Sequence, residues 1–162
     1  FKNFCPLEFL VLSSLAYVII MLIWTASTRS AVIQKANDIK FNHKTVVEFI
    51  NNEVNGCSSI ENGKTSWGEN CNSAWTSSNI VKYILDNFKL NNPYKIEKPL
   101  IQTSQDPRIQ AEGKAGQSTD KGIIFVSENN FESEAGSEWV IGTCVKSPCV
   151  AAGNNELFSA YR

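Results

Sequence analysis

Phe9–Thr28, FLVLSSLAYVIIMLIWTAST, contains no charged residue, no glycine and no proline. As a helix this run rises about 30 Å, enough to cross the hydrocarbon of a bilayer. Beyond Arg29 the chain turns polar and rich in Asn, Ser and Gly, as a solvated exterior domain requires. Averages over the 162 residues, 43% hydrophobic and 19% charged, conceal this concentration of apolar side chains at one end. The length suits one modest domain plus an additional element.

No glycine or proline occurs from Leu7 to Asn55, so one helix is expected to run about 70 Å before Gly56 stops it. Its outer half keeps a helical period. Val32, Ala36, Ile39, Val46, Ile50 and Val54 fall near one face, flanked by Val47 and Phe49. Lys35, Asp38, Lys40, Lys44, Glu48 and Glu53 mostly lie elsewhere. Such a stripe needs a covering layer, and the C-terminal region is the available one. His43 falls close to the stripe and, as the sole histidine, reads as a packed or hydrogen-bonded imidazole rather than a ligand. The expected organisation is an apolar helix over 1–28, an amphipathic continuation over 29–55 and a globular head over 56–162.

Fifteen basic and 16 acidic side chains leave a net charge of -1. The lysines (Lys35, Lys40, Lys44, Lys64, Lys82, Lys89, Lys95, Lys98) are scattered along the chain, so no specific nucleic-acid partner is expected. Cys5 sits at the edge of the apolar run, and Cys57, Cys71, Cys144 and Cys149 form an even set in the polar part. Four cysteines allow three connectivities, of which the sequence-local one, Cys57 with Cys71 and Cys144 with Cys149, is the simplest. Zinc is the competing use, but the spacings lack the tight pairs of both arms of a zinc site. Disulfides are favoured, which places the head in an oxidising compartment. The first bridge should contribute about 3 kcal/mol and the shorter loop about 2 kcal/mol.

Three readings compete for residues 1–28. One is a secretory signal, with Lys2 as its charged end and cleavage near Ala26 or Ser27. Another is a single-pass anchor with Lys2 inside. The third is a helix held in the membrane only until its subunit is extracted into a polymer. The segment is retained and the first residue is Phe rather than Met, so the expectation is a chain processed ahead of a persistent helix. Glu8 separates the remaining two. A carboxylate in lipid costs at least a few kcal/mol and calls for a partner. A polymer supplies one, the α-amino group at the start of a neighbouring chain, and the pair would set the axial register. The alternative is a solvated Glu8 at the headgroup boundary near Lys2.

Phe4-Cys5-Pro6-Leu7-Glu8, continuing as Phe9-Leu10-Val11-Leu12, resembles the mature start of type IV pilins and pseudopilins: a Phe, three residues, a Glu, then an unbroken apolar helix. The likeness covers the first fifty or so residues and the head only in outline. It implies N-methylation of the initiating Phe, a Glu that pairs with a neighbour's N-terminus during assembly, and a disulfide near the C-terminus, to which Cys144 and Cys149 correspond. Phe1 lies three residues ahead of the Phe with the usual spacing to Glu8, so either Phe1 or Phe4 is the processed end. Pro6 is unusual that early but is tolerated in a first turn. The mid-segment Gly and Pro of many bacterial pilins are missing, so a straighter helix is expected, with Ser13 and Ser14 its local weak points.

In the head, the residues enclosed by Cys57 and Cys71 are turn-rich and suggest a stapled surface loop. Ser77-Ser78 offers an N-cap for a helix over Asn79–Phe88. Strand periodicity follows at Leu100–Thr103, Gly122–Ser127, Glu138–Val145 and Leu157–Tyr161, and the polar stretch Ser104–Lys121 reads as loop or irregular strand. The expected fold is α+β, a long N-terminal helix packed against a small antiparallel sheet. There is no Gly-x-Ser-x-Gly, phosphate loop or dinucleotide fingerprint, so no enzyme and no cofactor are expected. Asp106, Asp120, Asn129, Asn130 and Glu132 offer oxygens for calcium, as in some pseudopilins, but without EF-hand order they read as a solvated loop. Trp67, Trp75 and Trp139 read as core or interface anchors.

The resemblance thus implies a structural subunit of an extracellular pilus on a bacterial surface. Its partners would be copies of itself, the inner membrane before assembly and a pilus assembly machinery, and it could serve adhesion, motility or DNA uptake. A pseudopilin of a secretion system, or an anchored exterior binding domain that never polymerises, are the alternatives.

Overall fold

With no glycine or proline between Leu7 and Asn55, α1 runs from Pro6 to Ser58 in a computed structural model that describes residues 6–59, 63–73, 75–113, 121–127 and 138–161. Pro6 occupies the first turn, where its missing N–H has no intrahelical partner to lose. Gly56 does not stop the helix as expected; α1 continues through it and places Cys57 in the last turn. A single glycine costs a helix only about 1 kcal/mol, and the Cys57–Cys71 bridge holds this turn in place. The chain divides into two units, Phe1–Lys35 and Ala36–Arg162, which are taken separately below.

The second unit adds α2 (Ser77–Asn87), β1 (Ile101–Ser104), α3 (Pro107–Glu112), β2 (Ile124–Ser127), β3 (Glu138–Cys144) and β4 (Asn155–Tyr161). The strands form one sheet in the order β1-β2-β3-β4. β2–β3 and β3–β4 are antiparallel, with Ile124 opposite Thr143 and Ile141 opposite Phe158. β1 and β2 are parallel, Ile101 opposite Ile124, so the sheet is mixed rather than purely antiparallel. Parallel neighbours need a crossover, and the connection between these two strands contains α3.

α3 corrects the reading of 104–121 as loop or irregular strand. Asp106 caps it, its carboxylate accepting from the amides of Arg108 (3.0 Å) and Ile109 (3.2 Å), and Pro107 starts it. Gly142 on β3 makes room for this helix: a Cβ there would collide with the carbonyl oxygen of Pro107 and stand 3.0 Å from the Cβ of Ala111. α2 begins two residues earlier than expected. Thr76 is its N-cap, without a side-chain bond, and Ser77, instead of capping, is buried and donates its hydroxyl to the carbonyl of Ser127 at the end of β2.

The core fills one face of the sheet. Ile39, Val46, Ile50 and Val54 of α1, Ile80 and Ile84 of α2, and Ile101, Ile124, Val126, Trp139 and Ile141 of the strands pack with Trp75. The stripe read from the sequence is therefore covered from Ala36 onward. α3 covers part of the opposite face, where Pro107 and Ala111 are buried, so every residue of β2 is buried.

Candidate assembly surface

Every position from Phe9 to Lys35 in the first unit is exposed. The large apolar side chains run from Phe9, 71% exposed, through Met21, 40%, to Trp24, 63%. An 18-residue window here has a mean hydropathy of 2.3 and none of it is buried, so the helix is long and apolar enough to cross a membrane. A helix apolar on all sides demands apolar surroundings on all sides. Burying one Leu or Ile side chain is worth about 1.5–3 kcal/mol, and the segment carries a dozen or more large apolar groups.

Four of its hydroxyls are already satisfied within the helix. Ser13 donates to the carbonyl of Leu10 (3.0 Å), Ser14 to Val11 (2.8 Å), Thr25 to Leu22 (3.0 Å) and Thr28 to Thr25 (3.0 Å). A hydroxyl bonded to its own backbone enters an apolar medium without the penalty of an unpaired donor. Ser13 and Ser14, weak points by expectation, lie in uninterrupted helix. Of the register residues, Glu8 lies in the first turn of α1, though its side chain is outside the described atoms, and Phe1 and Phe4, like Cys5, lie outside the described residues.

In the head, Cys57 pairs with Cys71 and Cys144 with Cys149. The first bridge staples a loop whose other fastenings are two glutamates. Glu53 of α1 accepts from the amide of Ser66 (2.9 Å) and from its hydroxyl. Glu69 accepts from Trp67 Nε1 (2.8 Å), the amide of Thr76 (3.1 Å) and Asn79 Nδ2 (2.7 Å), tying the loop to the start of α2. Desolvation works to raise the Glu69 pKa, yet the donors from Asn79, Trp67 and Thr76 outweigh it and hold the carboxyl below its ordinary range. Sequence reading gave neither glutamate a role, because their partners lie on other segments.

Trp67, Trp75 and Trp139 form a run of ring contacts: Trp67 meets Trp75 edge-on at 5.1 Å and Trp75 reaches Trp139 at 6.3 Å. Phe49 extends the run, stacking on Tyr83 at 5.7 Å. His43 is buried, and burial pushes its pKa down to about 4 against the opposing charge of Glu156. Its Nδ1 has no hydrogen-bond partner among the described residues. Among the described residues no three His, Cys, Asp or Glu side chains converge as a metal site would need. Asp106 is engaged in its cap, and Asp120, Asn129, Asn130 and Glu132 lie outside the described residues.

No protein-family model matches the chain, and neither does any curated protein or solved structure.

Proposed function

We propose that this chain is the structural subunit of a type IV pilus-like filament, stored in the inner membrane of a bacterium through residues 9–28 and polymerised through the same surface outside. One observation carries the reading: the head has its own core from Ala36 onward, while the apolar helix before it is exposed on every side, with the hydroxyls of Ser13, Ser14, Thr25 and Thr28 bonded internally. Such a segment is built to pass between apolar environments, lipid first and identical helices afterwards. Heterologous contacts that do not close on themselves produce an open filament, and Glu8 paired with a neighbour's α-amino group would set the stagger. The Phe4-to-Glu8 spacing favours a polymer over a permanent anchor.

Glu8→Leu tests this. Normal membrane insertion with no filaments in sheared surface material, viewed by negative stain, supports the proposal. Filaments assembled normally by Glu8→Leu would remove Glu8 from assembly, and wild-type chains that remain single copies in the envelope would leave the anchored exterior domain as the reading. Filament length separates a pilus from the short polymer of a pseudopilin. Mass spectrometry of the N-terminal residue decides between Phe1 and Phe4.

A further inference from the structure

We propose that the outer edge of β4 is a self-association surface, where a second copy of this chain adds its own β4 as an antiparallel strand about a two-fold axis. The proposal concerns the head alone and does not rest on the filament reading. β4 ends the sheet, and no strand lies beyond it among the described residues. The ladder fixes which of its backbone groups face outward. The amide of Val140 turns toward β2, where it donates to Ser127 Oγ (3.2 Å), and the amide of Val145 donates to the carbonyl of Asn154 (2.8 Å). Backbone direction alternates along a strand, so Trp139, Ile141 and Thr143 of β3 bond their partners Ala160, Phe158 and Glu156. Asn155, Leu157 and Ser159 therefore aim their amides and carbonyls away from the sheet. These backbone groups meet no partner among the described residues.

An open edge invites another strand, and proteins that must stay single blunt it with proline, lysine or a bulge. β4 carries none of these. Asn155–Tyr161 contains no proline and no lysine, and all seven residues pair with β3 in unbroken register. Leu157 and Ser159 are exposed. The one charge of the strand, Glu156, is held by Lys40 of α1 at 2.8 Å. On the other face Arg108 of α3 pairs with Glu138 and donates to Ser159 Oγ (3.3 Å), so the flanking cation is engaged as well. The opposite edge of the sheet is different: β1 has four residues, and Val81 and Leu85 of α2 line a groove with its Ile101.

The sequence of β4 suits its own copy. With the two-fold at Phe158, Leu157 stands opposite the second copy's Ser159, Asn155 opposite its Tyr161 and Glu156 opposite its Ala160. No like charges oppose one another, and Phe158 meets Phe158 as an aromatic cross-strand pair. In this register the outward groups are the ones that fall in hydrogen-bonded pairs, which supplies about eight new ladder bonds. The axis stands perpendicular to the sheet, so the α1 face of each head continues the α1 face of the other. Such a contact closes on itself, unlike the heterologous contacts of an open polymer. A strand of unrelated sequence would meet the same backbone, but β4 offers it no unpaired charge to recognise.

The test uses the full chain in detergent micelles, read by sedimentation and by residue-resolved amide exchange over a range of concentrations. Two-chain species are expected as concentration rises. The Leu157 and Ser159 amides should then slow about tenfold once about nine chains in ten are paired, while Glu156 and Phe158 stay protected at every dilution. Ser159→Pro removes an outward amide that the chain's own sheet does not use. It should abolish the concentration-dependent protection of Leu157 with near-ultraviolet circular dichroism retained. Leu157→Lys/Ser159→Lys sets like charges opposite one another across the two-fold and should do the same, which keeps the test decisive if the proline variant fails to fold. Leu157 and Ser159 amides that exchange alike at every concentration overturn the inference, even where chains pair through the apolar helix. Added protection of the Ile101 amide would make the second copy's β1 the occupant and overturn the two-fold.

Discussion

Helix α1 carries two apolar surfaces of the same chemistry and opposite fate. Between Phe9 and Trp24 the large side chains are all exposed, whereas Ile39, Val46 and Ile50 are fully buried in the head. Composition does not separate them, since both are rich in Ile and Val. Patterning does. The second surface is a stripe with Lys44 and Glu48 behind it, paired at 3.6 Å on the solvent side, so one covering layer suffices. The first is apolar all round, and only surroundings that enclose the helix can satisfy it.

The largest effect should come from deleting residues 1–28. Membrane association and polymerisation are expected to disappear completely, while the head keeps its near-ultraviolet circular dichroism and a Tm within a few degrees of the parent; a head that unfolds would join the two surfaces into one. Next, Trp75→Ala should cost the head about 3–5 kcal/mol and Ile50→Ala about 2–5 kcal/mol in denaturant unfolding. Ile23→Ala, by contrast, should leave head stability unchanged. Reducing or replacing the Cys57–Cys71 pair should cost about 3 kcal/mol and loosen the loop held by Glu53 and Glu69.

Acid offers a gentler probe of the buried surface. The folded His43 pKa of about 4 lies below its ordinary value of 6.5, so the unfolded chain takes up its proton first as pH falls. Head stability should decline from about pH 6.5 to pH 4, by up to about 3 kcal/mol, and then show no further loss from this group. His43→Gln should flatten that part of the profile, measured as unfolding midpoint against pH. Glu69 acts lower, stabilising the loop above its unfolded pKa and losing that contribution as pH falls through its depressed folded value. The smallest change is expected of Ser13→Ala with Ser14→Ala: within about 0.5 kcal/mol in the stability of assembled filaments, because both hydroxyls bond only to their own helix.

What could be read along the chain was whatever depends on near neighbours. The apolar run, the stripe that begins the core at Ile39, the α+β class and the strand positions to within a few residues all follow from period and turn chemistry over short windows. The sequence-local cysteine pairing was one of three connectivities, and the fold brings those partners together. The Asp106-Pro107 start of α3 was also local, yet its buried face is little more than Pro107 and Ala111, too small to show a helical period. Only the tertiary structure decided the parallel pairing of β1 with β2, the seat of α3 on Gly142, and the clasp of Glu53 and Glu69. These contacts join residues far apart in the chain, and no local pattern encodes which distant segment will arrive or in which direction it will run.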